Sequence, residues 1–179
     1  MVANFGYGAL VITFLLTIYG SVAAVYGARR NEQRWVDSAR LAMLLTFPLL
    51  TLSSLALIYL LVNGHYEVEF VASVTSSSMP MYLKITAWWG GQSGSLLFWA
   101  WLLASFASAV TLRKWHRDGE FLPWVILVSM VTLAFFLIMI IFFENPFQRI
   151  WQLPTGQIEL GMFQPANATL VFQQDGRGL

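Results

Sequence analysis

The sequence has no cysteine in its 179 residues. That excludes disulfides, Cys-ligated metals and a CxxCH attachment motif within the chain itself. Histidine is almost as scarce. His65 and His116 are the two present, and neither stands in an HxxxH or similar ligand spacing, so no metal site is expected. Charged residues make up 11% and nearly cancel to a net +1, which leaves no electrostatic footprint for nucleic acid. The run Gly90-Gly91-Gln92-Ser93-Gly94-Ser95 lacks the lysine of a phosphate-binding loop and follows no strand, so that chemistry is excluded too.

What the sequence has in excess is apolar surface. At 58% hydrophobic it falls outside the soluble globular range and inside the polytopic membrane class. Residues 1–28 carry no charge and end in Arg29-Arg30, whereas a cleaved signal peptide has its basic residues before the apolar run. The first transmembrane helix is therefore expected over 7–28, with its N-terminus outside. Uncharged runs at 41–63, 95–112 and 121–143 supply three more spans. Pro48 lies within the second, where neighbouring helices can satisfy the freed carbonyl, and Pro123 falls in the first turn of the fourth, where a missing N–H costs little. The expected fold is an all-α polytopic integral membrane protein, with a four-helix region over 1–143 and a tail over 144–179.

Orientation follows from Lys and Arg. The loop 29–40 holds four and the segment 113–120 holds three, seven of the ten in the chain. Cytoplasmic loops carry that excess, so both lie inside, and the arrangement is N-out and C-out. The loop 64–94 and the tail are then extracytoplasmic. In that loop Val68, Phe70, Ala72 and Val74 alternate with polar residues, which predicts a strand over 66–75 and minor β structure. Ser76 to Pro80 reads as a loop. In the tail, Leu153-Pro154-Thr155-Gly156-Gln157 predicts a small hairpin.

The stretch from Pro80 to Trp101 organises the chain. Trp88, Trp89, Trp99 and Trp101, half of the eight tryptophans, flank the small polar patch at 90–95. Trp is favoured at a membrane interface, where one end of the ring is apolar and the other wet. Gly and Ser let a backbone or a flat ligand come close, and can start a helix. The plainest reading is a tryptophan anchor belt followed by a Gly-Ser turn.

The residue order says more. The run Trp89-Gly90-Gly91-Gln92-Ser93-Gly94-Ser95-Leu96-Leu97-Phe98-Trp99 resembles the Trp-Gly-x-x-Glu-Gly-Ser-Leu-Leu-Leu-Trp signature of the CcmF family. These are haem lyase subunits of bacterial cytochrome c maturation, related to the CcsA-type haem-handling membrane proteins. Pro80, Tyr82, Lys84 and Ala87 are similar to that family as well, as is Glu144-Asn145-Pro146-Phe147. Ser93 stands where the family usually has Glu, and Gln92 where it often has His, so the resemblance carries no carboxylate role to position 93.

The resemblance implies the N-terminal part of a haem lyase that joins haem vinyl groups to the thiols of apocytochrome c. It implies a multi-pass protein of the bacterial plasma membrane, with the tryptophan platform on the extracytoplasmic side. Its partners would be membrane lipid, the remainder of the lyase, other cytochrome c maturation proteins, a haem-delivery chaperone and apocytochrome c. Its cofactor is haem, held by histidines and a tryptophan-rich WWD segment that the family carries beyond the length of this chain. Trp88-Trp89 is not that segment, because no Trp-Asp pair follows. The chain is accordingly expected to be a fragment or one product of a split system, not catalytic alone, and to bind no stoichiometric haem. The platform bordering the haem site would comprise Trp88, Trp89, Gly90, Gly91, Gly94, Ser95 and Trp99.

His65, at the outer end of the second span, is the candidate axial ligand within the chain. A lone His in an interfacial turn more commonly meets water or a backbone group. His116 sits among Arg113, Lys114 and Arg117 and reads as a solvated loop residue. Glu67 and Glu69 would steer a basic partner, or are simply solvated strand charges. Ser93 with His65 lacks the third group that nucleophilic chemistry needs. The alternative from another class is a non-catalytic membrane subunit or anchor of a respiratory or transport complex, with the platform as its docking face.

Overall fold

Each long uncharged run folds as a helix. The computed structural model describes residues 1–113, 119–171 and 175–177, so the expectations for His116 and the basic turn at 114–117 lie outside the described residues. Among those described, four helical segments are long and apolar enough to cross a membrane. They are α1 (Val2–Arg30), α2 (Gln33–Asn63), α5 (Gln92–Leu112) and the segment Gly119–Phe143 that contains α6 (Leu122–Ile138). The short helices α3 (Glu69–Val74) and α4 (Met81–Thr86) lie between α2 and α5.

The α1 helix buries a stripe of small residues: Ala3, Gly6, Ala9, Thr13, Thr17, Gly20, Ala23 and Gly27. Small residues at helical spacing let neighbouring backbones and side chains approach, which is the main source of packing once both phases are apolar. A Cβ on Gly20 would stand 2.5 Å from Met130 Cε of α6, and one on Gly27 2.8 Å from Val36 Cγ2 of α2. The Ser53 hydroxyl on α2 donates to the Gly6 carbonyl at 3.1 Å. Asn31 closes α1 in the left-handed region at φ 56, and its N–H bonds to the Gly27 carbonyl, so α2 begins two residues later. The α2 helix continues through Pro48 and ends at Gly64, φ 66.

Helix α1 packs on α2 and α6, α2 on α5, and α5 on α6, closing a four-helix ring. Leu10, Leu50, Leu57, Leu97, Leu133 and Leu137 fill its centre. Phe5, Ile12, Leu15, Val128, Val131 and Phe135 are exposed on the outside, as a lipid-facing surface requires. The last turn before the tail, Met139–Phe143, is a π-helical turn.

The tail folds onto one end of the bundle. Strands β1 (Arg149–Gln152), β2 (Ile158–Gly161) and β3 (Thr169–Leu170) form an antiparallel sheet in the order β2-β1-β3. The expected hairpin turn at 153–157 is present, with Gly156 at φ 81 and the Leu153 N–H on the Gln157 carbonyl at 2.9 Å. Phe147 is fully buried and its ring lies in the space where Gly6 has no side chain.

One expectation is overturned. The strand predicted over 66–75 reduces to a single bridge, Val68 with Arg149, flanked by Ile150 N–H to Glu67 carbonyl and Glu69 N–H to Gln148 carbonyl, both 3.0 Å. From Glu69 to Val74 the chain is helical. Phe70, Val71, Ala72 and Val74 are all buried, and the two part-exposed positions, Glu69 and Ser73, stand four apart on one helical face rather than two apart as a strand requires. Phe70, Val71 and Val74 also fit i, i+1, i+4, and that helical period prevails because it brings Phe70 and Val74 down together on the start of α5.

Candidate functional site

The platform is built by one 3-10 turn, Ala87–Trp89, and the first two turns of α5. The turn sends its two tryptophans opposite ways: Trp88 is 9% exposed and Trp89 48% exposed. Gly90 closes the turn with its N–H on the Ala87 carbonyl at 3.0 Å. Gly91 is extended (φ −119, ψ 170) and caps α5, which starts at Gln92 rather than at the expected Ser95. The Gly-Ser patch is thus the helix N-terminus itself. Ser95 bonds back twice, N–H to the Gly91 carbonyl at 2.9 Å and hydroxyl to the Trp89 carbonyl at 2.8 Å.

An aromatic cluster fixes the inner side. Trp88 meets Phe98 edge-on at 5.1 Å between centroids and Trp101 at 5.8 Å. Phe98 stacks on Trp101 at 6.3 Å, Trp101 meets Phe47 of α2 at 5.8 Å, and the Trp101 indole N–H donates to Thr51 Oγ1 at 2.9 Å. Such ring pairs add about 0.5–1.5 kcal/mol each beyond area burial, enough to hold the inner rings in one arrangement. The indole nitrogen of Trp88 is buried without a hydrogen-bond partner among the described residues. On the outer side Trp89, Ser95, Phe98 and Trp99 line a shallow groove of about 280 Å³. Trp99 is 57% exposed there.

The platform glycines admit the chain's own atoms. A Cβ on Gly91 would stand 2.8 Å from Phe70 Cε2 and 3.1 Å from Val74 Cγ1. One on Gly94 would overlap the Trp88 carbonyl oxygen and stand 2.6 Å from Phe70 Cζ. Helix α3 and the tryptophan turn are thereby seated on the start of α5.

Ser93 donates its hydroxyl to Glu144 Oε2 at 2.9 Å, across 51 residues. A carboxylate therefore does reach position 93, from the end of the fourth helical segment. Sequence reasoning did not assign Glu144 to the platform. The available signal was Glu144-Asn145-Pro146-Phe147, whose Phe147 and Asn145 are buried beside it.

His65 lies apart from these rings. Its Nδ1 is 2.9 Å from Glu67 Oε1, and its ring lies 5.9 Å from that of Tyr59. Among the described residues it makes no hydrogen bond or ring contact with a platform tryptophan, and none with Ser93. No group of three or more His, Cys, Asp or Glu side chains is placed to hold a metal ion among the described residues.

A second contact joins the tail to the loop before the platform. Asp175 accepts from the Ser77 N–H at 2.6 Å, the Ser77 hydroxyl at 2.8 Å and the Gly176 N–H at 2.8 Å. The Ser77 backbone bond first, then its hydroxyl, holds the Asp175 carboxyl below its usual range. Burial, and then the Asp175 charge, push the Tyr66 hydroxyl up. The Arg177 N–H completes the attachment on the Ala72 carbonyl at 2.7 Å.

Known proteins share both sequence and fold with this chain. No protein-family model matches it. The cytochrome c-type biogenesis protein CcmF of Haemophilus influenzae is 28% identical over 149 residues, 83% of this chain and 23% of that protein. CcmF of Pseudomonas aeruginosa is 30% identical over 84% of this chain and 23% of its own length. The biogenesis protein CycK of Bradyrhizobium diazoefficiens is 31% identical with the same coverage, 84% and 23%. A solved structure of the cytochrome c haem lyase CcmF superposes with a TM-score of 0.75 at 19% identity, covering 82% of this chain and 25% of that one. The chain spans about a quarter of the length of the relatives it matches.

Proposed function

Since the chain is homologous to the N-terminal portion of the CcmF proteins, we propose that it supplies the first four membrane helices and the aromatic platform of a CcmF-type haem lyase. That lyase acts in covalent attachment of haem to apocytochrome c, in the bacterial plasma membrane. The observation that carries the reading is the Trp89–Trp99 run. It lies in a chain matched over more than four-fifths of its length, and it folds as a ring cluster fixed from behind by Trp101 and Thr51.

Haem brings the vinyl groups to which cysteine thiols are joined. The residues present suit the edge of such a group and not its iron. Trp89, Phe98 and Trp99 offer flat apolar walls, whereas His65 is engaged with Glu67 and Tyr59. The share of the work assigned here is to border the haem and exclude water on one side, with axial ligands outside the chain. The loop 64–94 and the sheet lie on the extracytoplasmic face in this reading, because seven of ten Lys and Arg fall in the two opposite loops. Apocytochrome c and a haem-delivery chaperone would approach from that face.

The test is replacement. The corresponding quarter of Pseudomonas aeruginosa CcmF is exchanged for this chain, in cells that lack their own copy. Haem-stained cytochrome c is expected to return. A chimera that inserts at normal levels yet restores none would leave the chain an anchor or docking subunit.

A further inference from the structure

At the other end of the bundle, away from the platform, α1 presents an apolar groove with two cationic groups at its mouth. Val22, Val25 and Tyr26 with Leu127 of α6 line it, Arg29 and Arg30 stand at its end, and it encloses about 620 Å³. The spacing explains the shape. Residues 22, 25 and 29, and 26 and 30, fall on one helical face, and Arg29 lies roughly 10 Å along the axis from Val22.

The ends of the groove differ in the medium they meet. Val22 is 65% exposed on the lipid-facing surface. Tyr26 meets Trp35 edge-on at 5.1 Å, and that aromatic pair marks the membrane–water boundary at this end. The Arg30 guanidinium lies over the Tyr26 ring, 5.9 Å from its centroid. Both arginines are exposed, and among the described residues neither makes an ion pair or a side-chain hydrogen bond. The nearest acidic groups in sequence are turned elsewhere. Asp37 accepts from Gln33 Nε2 at 3.1 Å, and Glu32 lines a separate cavity with Glu120.

We propose that this groove binds one anionic phospholipid, its phosphate on Arg29 and Arg30 and an acyl chain along Val22, Val25 and Leu127. Charge complementarity selects this occupant. Two guanidiniums without an ion pair among the described residues match a phosphate in charge and in fork geometry, and the wall below them is apolar apart from Ser21. An apolar helix laid in the groove would offer neither guanidinium an anion.

The test is native mass spectrometry of the full chain in detergent, with phosphatidylglycerol and phosphatidylcholine supplied together. Phosphatidylglycerol is expected to be retained over phosphatidylcholine, with each arginine worth about fivefold, which is roughly 1 kcal/mol at 1.4 kcal/mol per tenfold. The double variant Arg29→Gln, Arg30→Gln removes that preference while the chain stays folded, losing at the exposed end of α1 only the Arg30 contact over Tyr26. The double lysine variant retains part of the preference, having charge without the fork. Val22→Trp fills the groove and lowers retention with both charges intact. Excess inorganic phosphate leaves the lipid bound, since the acyl chain holds it as well. Equal retention of the two lipids, retention of neither, an unchanged preference in the glutamine variant, full retention in Val22→Trp, or displacement by inorganic phosphate alone overturns the proposal.

Discussion

Adding one methyl group at Gly8 and Gly94, which are helical, and at Gly91, the extended cap of α5, separates what the platform glycines do from what a helix does with any glycine. On propensity alone, Gly→Ala in a helix gains up to about 1 kcal/mol. Gly8 in α1 has nothing within 4 Å of a built Cβ, so Gly8→Ala should keep that gain or be neutral. At Gly94 the new Cβ meets the Trp88 carbonyl oxygen, a backbone atom that cannot rotate away, and Phe70 Cζ at 2.6 Å. Overpacking of this kind costs about 1–3 kcal/mol, which outweighs the propensity term. A net loss of about 1–2 kcal/mol is expected. At Gly91 the nearest atoms are Phe70 Cε2 at 2.8 Å and Val74 Cγ1 at 3.1 Å, both side-chain atoms, and a loss of similar size is expected.

The double-mutant cycle with Phe70→Leu distinguishes the two sites. Shortening Phe70 should relieve most of the Gly91→Ala loss, but only a small part of the Gly94→Ala loss, because the Trp88 carbonyl stays in place. The assay is SDS-induced unfolding of the full chain in mixed micelles, followed by tryptophan fluorescence. Gly94→Ala as stable as Gly8→Ala would refute the reasoning, and so would equal rescue at both sites. Gly94→Val should be worse than Ala, since a β-branched side chain cannot turn away from the preceding turn.

Three further outcomes are expected. Asp175 has its carboxyl pKa depressed by Ser77 in the folded state, so its stabilising contribution is present above the unfolded value and lost as pH falls through the folded one. The protection of the Ser77 amide, relative to its intrinsic exchange rate at each pH, should therefore fall below the ordinary carboxylate range of about 4, and Asp175→Asn should remove that pH dependence, read by hydrogen exchange. Ser93→Glu would set a second carboxylate against Glu144, which now accepts from Ser93 at 2.9 Å. It should destabilise by about 1–3 kcal/mol at neutral pH, read by the same micelle unfolding. Because the chain has no cysteine, single substitutions report topology without background: Ser78→Cys should react with an impermeant maleimide added outside cells, and Asn31→Cys only after lysis.

The four spans were legible because a membrane helix needs only an uninterrupted apolar run, and this chain marks the ends of its runs with Arg29, Asn63 and Arg113. The hairpin at Leu153–Gln157 was legible because Pro and Gly punctuate it. The helix Glu69–Val74 was not, because Val71 is buried along with Phe70, Ala72 and Val74, so the part-exposed residues are Glu69 and Ser73, four apart, and the apparent alternation does not describe the burial. The tryptophan platform could be located from its residues, but not its construction. Nothing in the order of residues 88–101 tells which indole turns inward, since that depends on Phe47 and Thr51 of α2. Pairing of Ser93 with Glu144 was equally hidden, 51 residues apart and made by a π-helical turn that re-aims the end of its helix. The 2.9 Å contact of His65 with Glu67 was not legible either, because a strand over 66–75 would have set Glu67 on a solvated face.

The platform's part in haem attachment is tested most directly in the chimeric lyase by removing its two exposed indoles. Trp89→Leu with Trp99→Leu strips the groove wall and leaves the inner cluster of Trp88, Phe98 and Trp101 standing. A control, Phe106→Leu with Val128→Ala, alters exposed lipid-facing side chains elsewhere on the bundle. At matched membrane levels, haem-stained cytochrome c is expected to fall at least tenfold in the tryptophan pair and to stay normal in the control, a difference of about 1.4 kcal/mol or more. Normal cytochrome c maturation without both indoles would contradict the account and reduce the platform to a membrane anchor.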